Sequence, residues 1–213
     1  NNLNRKEIQN QLSDLGDSFI VAGNKSKVKI HIHTNNPTKV FSICGTFGEV
    51  KNQKADDMHA QIKSANDRKS KIAIVTDSGC DISVDFHNTN IHMVPVRYSF
   101  GEKEYIDKAS QTSVDFYNEL KSNPIHPKTS QPPSGDFINK YKYLSSHFES
   151  IISIHIPDKL SGTLDSCKNA IKRMDGMKIT PIDSLSASTG LGLIVKSASE
   201  LSEKIDNHER LVE

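Results

Sequence analysis

The sequence predicts an α/β protein, a mostly parallel sheet flanked by helices, preceded by a small α+β domain. Two observations carry this. From residue 72 onward short apolar runs (72–76, 91–97, 151–156, 179–182) alternate with amphipathic stretches. That alternation places parallel strands beneath helices on both faces of a sheet. Before residue 64 the order is instead helix, hairpin, helix and polar strand. Between the two patterns lies Ser-Ala-Asn-Asp-Arg-Lys-Ser-Lys, residues 64–71, small and charged without periodicity, which reads as a linker. The expected domains are therefore 1–63 and 72–213.

In the first domain, residues 5–15 carry Ile8, Leu12 and Leu15 at helical spacing. Residues 19–22 and 28–33 are strand-like on either side of the turn Gly23-Asn24-Lys25-Ser26. Pro37 opens a short helix over 38–44 that Gly45 and Gly48 help to end, and 49–54 reads as a last polar strand. In the second domain 98–99 and 104–106 form a small hairpin around Gly101. Ser113 caps a helix over 114–121, with Asp115 in its first turn. Ser134 caps another over 135–148, whose stripe is Phe137, Tyr141, Leu144 and Phe148. Residues 162–174 direct Leu164, Cys167, Ile171 and Met174 inward, and 187–205 do the same with Leu191, Ile194, Ala198, Leu201 and Ile205.

Composition narrows the function classes. A chain of 213 residues, 35% hydrophobic, can build a real core. A formal charge of +1 and the absence of any Lys/Arg run give no sign of a nucleic-acid partner. The 3 cysteines, Cys44, Cys80 and Cys167, are far apart and lack C-x-x-C spacing, which fits a reducing, cytoplasmic setting. No apolar run approaches the ~18 residues of a membrane span. Asn1 in place of Met, and an end at Glu213 just after a long helix, suggest an excerpt of a longer protein.

Polar candidates cluster after the strands, where open α/β sheets bind ligands. They are Asp77-Ser78, the segment Lys128-Thr129-Ser130-Gln131-Pro132-Pro133, the turn Leu160-Ser161-Gly162-Thr163, and Asp183-Ser184. Ser161 sits at a helix start, where unpaired N–H groups and the dipole favour an anion. Gly162 admits close approach, and the hydroxyls of Ser161 and Thr163 can donate to a carboxylate. Each piece alone has a blander reading: an N-cap for Ser161, a turn for Thr129-Ser130, a capping residue for Asp77.

Taken together, Thr76-Asp77-Ser78, Lys-Thr-Ser-Gln-Pro at 128–132, Leu-Ser-Gly-Thr at 160–163 and Asp-Ser-Leu-Ser-Ala-Ser-Thr-Gly-Leu-Gly at 183–192 resemble the DegV family in order and spacing. The resemblance implies the N-terminal half of a two-domain α/β fold that binds one long-chain fatty acid. It further implies that Thr129 and Ser161 hold the carboxylate, with Ser130, Gly162, Thr163, Ser78 and Asp77 around them. The tail would lie in an apolar tunnel, where ~0.8 kcal/mol per buried methylene lets few polar contacts suffice. The family's basic headgroup residues, an arginine and a late histidine, would lie beyond Glu213. One departure is Ile154-His155-Ile156-Pro157-Asp158-Lys159, where family members often carry a serine-rich stretch.

The strand around Lys29-Ile30-His31-Ile32-His33 places His31 and His33 on one face. Paired imidazoles suit Zn²⁺, with Cys44 and His59 as further candidates, although on spacing alone a polar strand face is the better reading. Leu-Gly-Asp-Ser at 15–18, the run 28–37 and Phe-Gly-Glu-Val at 47–50 resemble the region downstream of the DhaL-type kinase domain in the kinase component of fatty-acid kinase. In that component the paired histidines belong to a zinc site. The resemblance implies a piece of a fused protein in which a DhaL-type kinase domain phosphorylates the bound acyl group; no catalytic residue is assigned to this chain. Two other readings stand beside it: a phosphatase-like enzyme with Asp77 as nucleophile, although Gly79 occupies the usual position of the acid/base aspartate, and a metal-dependent interaction domain over 1–63.

Overall fold

The computed structural model describes residues 3–55, 69–82 and 89–213. His59 and positions 64–68 of the expected linker lie outside these stretches. In chain order the first elements are α1 (Arg5–Leu12), β1 (Asp17–Gly23), β2 (Val28–His33), α2 (Pro37–Phe47), β3 (Ile72–Asp77), β4 (Ile91–Val94), β5 (Arg97–Phe100) and β6 (Lys103–Ile106). Then follow α3 (Ser113–Ser122), β7 (Lys128–Ser130), α4 (Ser134–Ser145), β8 (Ser150–His155), α5 (Thr163–Ile171), β9 (Lys178–Asp183), α6 (Ser188–Ser202) and α7 (His208–Val212). Two compact units result, one of residues 1–55 with 97–129, the other of 56–96 with 130–213.

In the first unit, α1 is followed by a 3₁₀ turn over Ser13–Leu15, so the helix expected over 5–15 tightens in its last turn. β1 and β2 form an antiparallel hairpin. Its turn is closed by the Asn24 side chain, which accepts from the N–H groups of Ser26 and Lys27, both at 2.9 Å. Asn36 caps α2 by accepting from Lys39 N–H, with Pro37 in the first turn. The helix runs through Gly45 and ends at Gly48. Ile8, Leu12, Val21 and Val40 are the buried core of this part. The strand expected over 49–54 is absent, and Asn52 within it adopts φ 52°, a left-handed conformation that interrupts an extended run. The unit also holds a three-stranded sheet in the order β6-β5-β7. Tyr98, Phe100 and Tyr105 of that sheet pack against Phe116 and Leu120 of α3. Thr112, not Ser113, caps α3, accepting from Asp115 N–H at 3.1 Å.

The second unit is the expected parallel sheet, in the order β4-β3-β8-β9 with every pairing parallel. All residues of β3 and β8 are buried, as required of strands covered on both faces. On one face Ala73 and Val75 meet Phe137, Tyr141 and Leu144 of α4 and Cys167 and Ala170 of α5. On the other, Ile72 and Ile74 meet Leu191 and Val195 of α6. Three expectations need correction here. The run 91–97 is two strands rather than one, with Pro95, which has no N–H to donate, in the break. Ser134 caps nothing: the N-cap of α4 is Pro133, without a side-chain bond. The third concerns α6, which is rotated from the expected face: Leu191, Val195, Ser199 and Ser202 are buried while Ile194 and Leu201 are exposed. Buried Asn90 explains the rotation. It accepts from Ser199 Oγ at 2.5 Å and donates to Ser202 Oγ at 2.8 Å, and a buried amide left unpaired would cost about 1–3 kcal/mol. No described helix is long and apolar enough to cross a membrane.

Candidate functional site

In the second unit the chain passes from β3 outward to β4 and then returns to β8 on the other side. The switch point lies between the carboxyl ends of β3 and β8, where open α/β sheets leave a crevice for ligands. The sequence candidates Asp77, Ser78, Ser161, Gly162 and Thr163 all belong to the segments that leave these two strands.

Asp77 is fully buried and its carboxylate is occupied. One oxygen accepts from Gly79 N–H at 2.9 Å. The other accepts from Ile156 N–H at 3.1 Å and from His155 Nδ1 at 2.9 Å. The group thus latches the end of β3 to the end of β8 across the switch point. With no exposed surface and donors on both oxygens it is not placed to attack a substrate, which removes the geometric support for a phosphatase-like nucleophile. Ser78, also buried, accepts from Val96 N–H at 3.0 Å and ties the same turn to the chain beyond β4.

His155 stands where the serine-rich stretch was expected, and it is a core residue. Its Nε2 meets Ser153 Oγ at 2.7 Å, Ser153 Oγ meets the Tyr141 hydroxyl at 2.7 Å, and that hydroxyl meets Cys167 Sγ at 3.0 Å. Burial opposes a charge on the imidazole, but the hydrogen bonds and charges of Asp77 and Cys167 outweigh it and raise His155 to about 8. Burial, first, and the Cys167 sulfur push the Tyr141 phenol well above its ordinary range.

The loop from β8 to α5 carries the headgroup candidates. Leu160 and Ser161 N–H groups both donate to the carbonyl of Pro157, at 2.9 and 3.1 Å, which folds the loop back toward the sheet. Ser161 Oγ accepts from Thr163 N–H at 3.2 Å and lies 2.9 Å from Thr163 Oγ1. It therefore satisfies one orphan donor at the start of α5, and either hydroxyl of the Ser161–Thr163 pair can be the one that donates. Gly162, the N-cap of α5, makes no side-chain cap. A Cβ there would lie 2.5 Å from Gln131 Oε1, so the glycine is needed for side-chain approach rather than for an unusual backbone angle. Gln131, one of the candidate segment 128–133, is thereby placed beside the headgroup loop. Thr129 and Ser130 are exposed on β7, which is a strand rather than the turn their composition suggests. Thr129 ends the first unit and Ser130 begins a segment of the second.

The loop after β9 is held by Asp183, whose Oδ1 accepts from Leu185 N–H at 2.9 Å and Oδ2 from Asp158 N–H at 3.3 Å. The Leu185 amide, first, keeps this carboxyl below its usual range. Leu185 and Ser188 adopt positive φ of 50° and 54°, a cost of order 1–3 kcal/mol that concentrates at sites over-determined by their surroundings. Ser188 supplies that constraint: its N–H donates to Gly79 O at 2.9 Å, its hydroxyl to Asp81 Oδ2 at 2.9 Å.

In the first unit His31 and His33 share a face of β2 with Nε2 atoms 3.2 Å apart. Two ligands at ~2.0–2.1 Å from a tetrahedral zinc stand about 3.3 Å apart, so the pair fits two corners of such a site. Asp17 Oδ1 lies 3.3 Å from His33 Nδ1, the outer carboxylate that metal-binding histidines usually have. Among the described residues no group of three or more His, Cys, Asp or Glu side chains could hold a metal. Burial raises the Cys44 thiol above its ordinary value, which disfavours the thiolate a metal needs.

Comparison with known proteins divides the chain by sequence and not along the two compact units, because 97–129 of the first unit falls in the second family match. Residues 1–65 match the FakA-like middle domain of fatty acid kinase, and residues 71–213 match the DegV family of uncharacterised proteins. A DegV domain-containing 15.5 kDa protein of Staphylococcus aureus is 41% identical over 133 residues, covering 62% of this chain and 94% of its own length. DegV from Bacillus subtilis, solved as a fatty acid binding protein, aligns at a TM-score of 0.64 and 31% identity over 67% of this chain and 51% of that one. A fatty-acid-binding DegV family protein from Thermus thermophilus aligns at 0.61 and 30%, over 66% and 50%. The chain spans about half the length of these solved relatives. Its parallel sheet, its ordered motifs and a family match over residues 71–213 lead to one conclusion: the chain belongs to the DegV family, joined to a FakA-like middle domain.

Proposed function

We propose that residues 72–213 bind the carboxylate end of a long-chain fatty acid, and that the chain presents this acyl group to a DhaL-type kinase domain, fused or separate. The observation that carries the reading is Ser161. Its oxygen accepts from Thr163 N–H and lies 2.9 Å from Thr163 Oγ1, so with Thr163 as the donor of that pair the Ser161 proton turns to an acceptor at the switch-point end of the sheet. The start of α5, whose N-cap Gly162 gives no side-chain bond, adds a partial positive charge there. Thr129 would supply the second hydroxyl, with Ser130, Gly162, Thr163, Ser78 and Asp77 shaping or supporting the site. Leu160 and Leu185, 70% and 81% exposed on the two loops that carry the polar residues, offer apolar surface to an acyl chain. The fatty-acid-binding relatives support the same ligand class. The chain acts as a binding component; the phosphoryl-transfer chemistry belongs to the kinase domain.

The test is oleate binding by native mass spectrometry and by displacement of a fluorescent fatty acid, on this chain and on its parent protein. A hydrogen bond to a charged group is worth ~1.5–3 kcal/mol, so Ser161→Ala and Thr129→Ala are each expected to weaken binding by about ten- to a hundredfold. A reproducibly lipid-free parent protein that ignores added oleate, or a Ser161→Ala variant with unchanged affinity, overturns the proposal.

The separation of the two imidazoles supports a second reading for the first unit, in which His31 and His33 hold Zn²⁺. Such an ion would crosslink β2 to further ligands and stabilise the fold.

A further inference from the structure

Gln53 is a buried polar residue in a segment without secondary structure, and its partners lie across the family boundary. It belongs to the stretch matching the FakA-like middle domain, while its hydrogen bonds reach the stretch matching the DegV family. Its Nε2 donates to Glu104 O at 2.6 Å, and its Oε1 accepts from Ser110 Oγ at 2.6 Å. Ser110 Oγ in turn accepts from Ile106 N–H at 2.8 Å, closing the turn that follows β6. A second contact runs the same way: Thr38 Oγ1 donates to Ala109 O at 3.1 Å. Charge agrees with geometry, because Lys51 is held above its ordinary value by Glu49 first and then by Glu102 and Glu104 of the hairpin.

The position of Glu104 gives this contact its consequence. β6 is an edge strand in the order β6-β5-β7, and an edge strand leaves a row of backbone groups without strand partners. Gln53 satisfies one of these carbonyls. On the far side of β5 lies β7, which carries Thr129. We propose that Gln53 is a positioning residue: it clamps the DegV hairpin β5–β6 to the middle-domain segment and thereby holds the strand that presents Thr129 to the lipid. The part of this inference that concerns lipid rests on the function proposed above; the clamp itself does not. It means that the two family segments are not beads on a string. The middle-domain segment would help to place Thr129 through backbone that the DegV segment supplies.

Hydrogen exchange on the full chain tests the clamp without lipid. Gln53→Met keeps the side-chain volume and removes both hydrogen bonds. It is expected to speed exchange of the Ile106, Ala109 and Ser110 amides about tenfold, with β3 and β8 unchanged as the folding control. Gln53→Glu can still accept from Ser110 but cannot donate to Glu104 O, and it should fail to restore protection. Unchanged exchange in Gln53→Met, or restored protection in Gln53→Glu, overturns the clamp. A double-mutant cycle in oleate binding then tests the positioning role. Gln53→Met is expected to weaken binding about fivefold in the wild-type background and to have little further effect beside Thr129→Ala. Full additivity with Thr129→Ala overturns the route through β7. If the parent protein binds no oleate at all, the lipid reading and the positioning role fall together while the exchange result still decides the clamp.

Discussion

Asp77→Asn removes one charge and changes almost no volume, so its cost can be worked from the contacts of one carboxylate. Three donors converge on that group, Gly79 N–H, Ile156 N–H and His155 Nδ1, and a carboxylate accepts all of them. An asparagine has a single oxygen. If it faces Ile156 and His155, its NH₂ is turned toward Gly79 N–H, leaving a buried donor unsatisfied at about 1–3 kcal/mol. The imidazolium also loses its partner. Against burial, Asp77 and then Cys167 raise His155 from 6.5 to about 8, and linkage at 1.36 kcal/mol per unit puts the contribution of the protonated imidazole at about 2 kcal/mol at low pH. The sum, about 3–5 kcal/mol, agrees with the cost of breaking a buried ion pair by removing one partner. The sign of the pH dependence follows from the raised value. The contribution is fully present below about 6.5 and is lost as pH rises through about 8. Urea denaturation followed by far-UV circular dichroism should therefore show the full difference at pH 6, and at pH 9 a difference smaller by about 2 kcal/mol. A difference below about 1 kcal/mol at pH 6, or one that does not change between pH 6 and 9, would refute the latch.

Two further outcomes follow from particular contacts. Gly192→Ala should gain ~1 kcal/mol of helix propensity, yet its Cβ would lie 2.5 Å from the Asp81 carbonyl oxygen; backbone cannot step aside, so a net loss of about 1–3 kcal/mol is expected in the same denaturation assay. Gly162→Ala meets the end of the exposed Gln131 side chain instead, and should leave stability within about 1 kcal/mol while weakening oleate binding. Zinc analysis of wild type against the His31→Ala/His33→Ala double variant checks the metal reading. Stoichiometric zinc lost in the variant is expected, and equal metal content in both would sink it.

Much of the second unit was legible in the sequence because its signal is local. The buried run of β3 and the Phe137, Tyr141, Leu144 stripe of α4 report burial through their own periodicity. The ordered motifs placed Asp77, Ser161, Gly162 and Thr163 after the strands where the fold has them. Segment 49–54 shows the limit: it reads as a polar strand, yet Asn52 turns to a left-handed φ of 52° that its composition does not announce. The burial of α6 shows it again: its apolar spacing pointed one way and Asn90, more than a hundred residues earlier in the chain, turned it another.

Local pattern is therefore enough for the alternation of strand and helix, the parallel sheet covered on both faces, and the ends of strands where ligand chemistry belongs. Tertiary structure decided which polar side chains are free to act there. Asp77 became a latch because Ile156, 79 positions away, brings an N–H to its oxygen; Gln53 became a clamp because Glu104, 51 positions away, turns an edge carbonyl toward it. The physical reason is common to both. Periodicity records how much of a residue is buried, whereas a polar group's role depends on which donor or acceptor meets it, and the fold chooses that partner from anywhere along the chain.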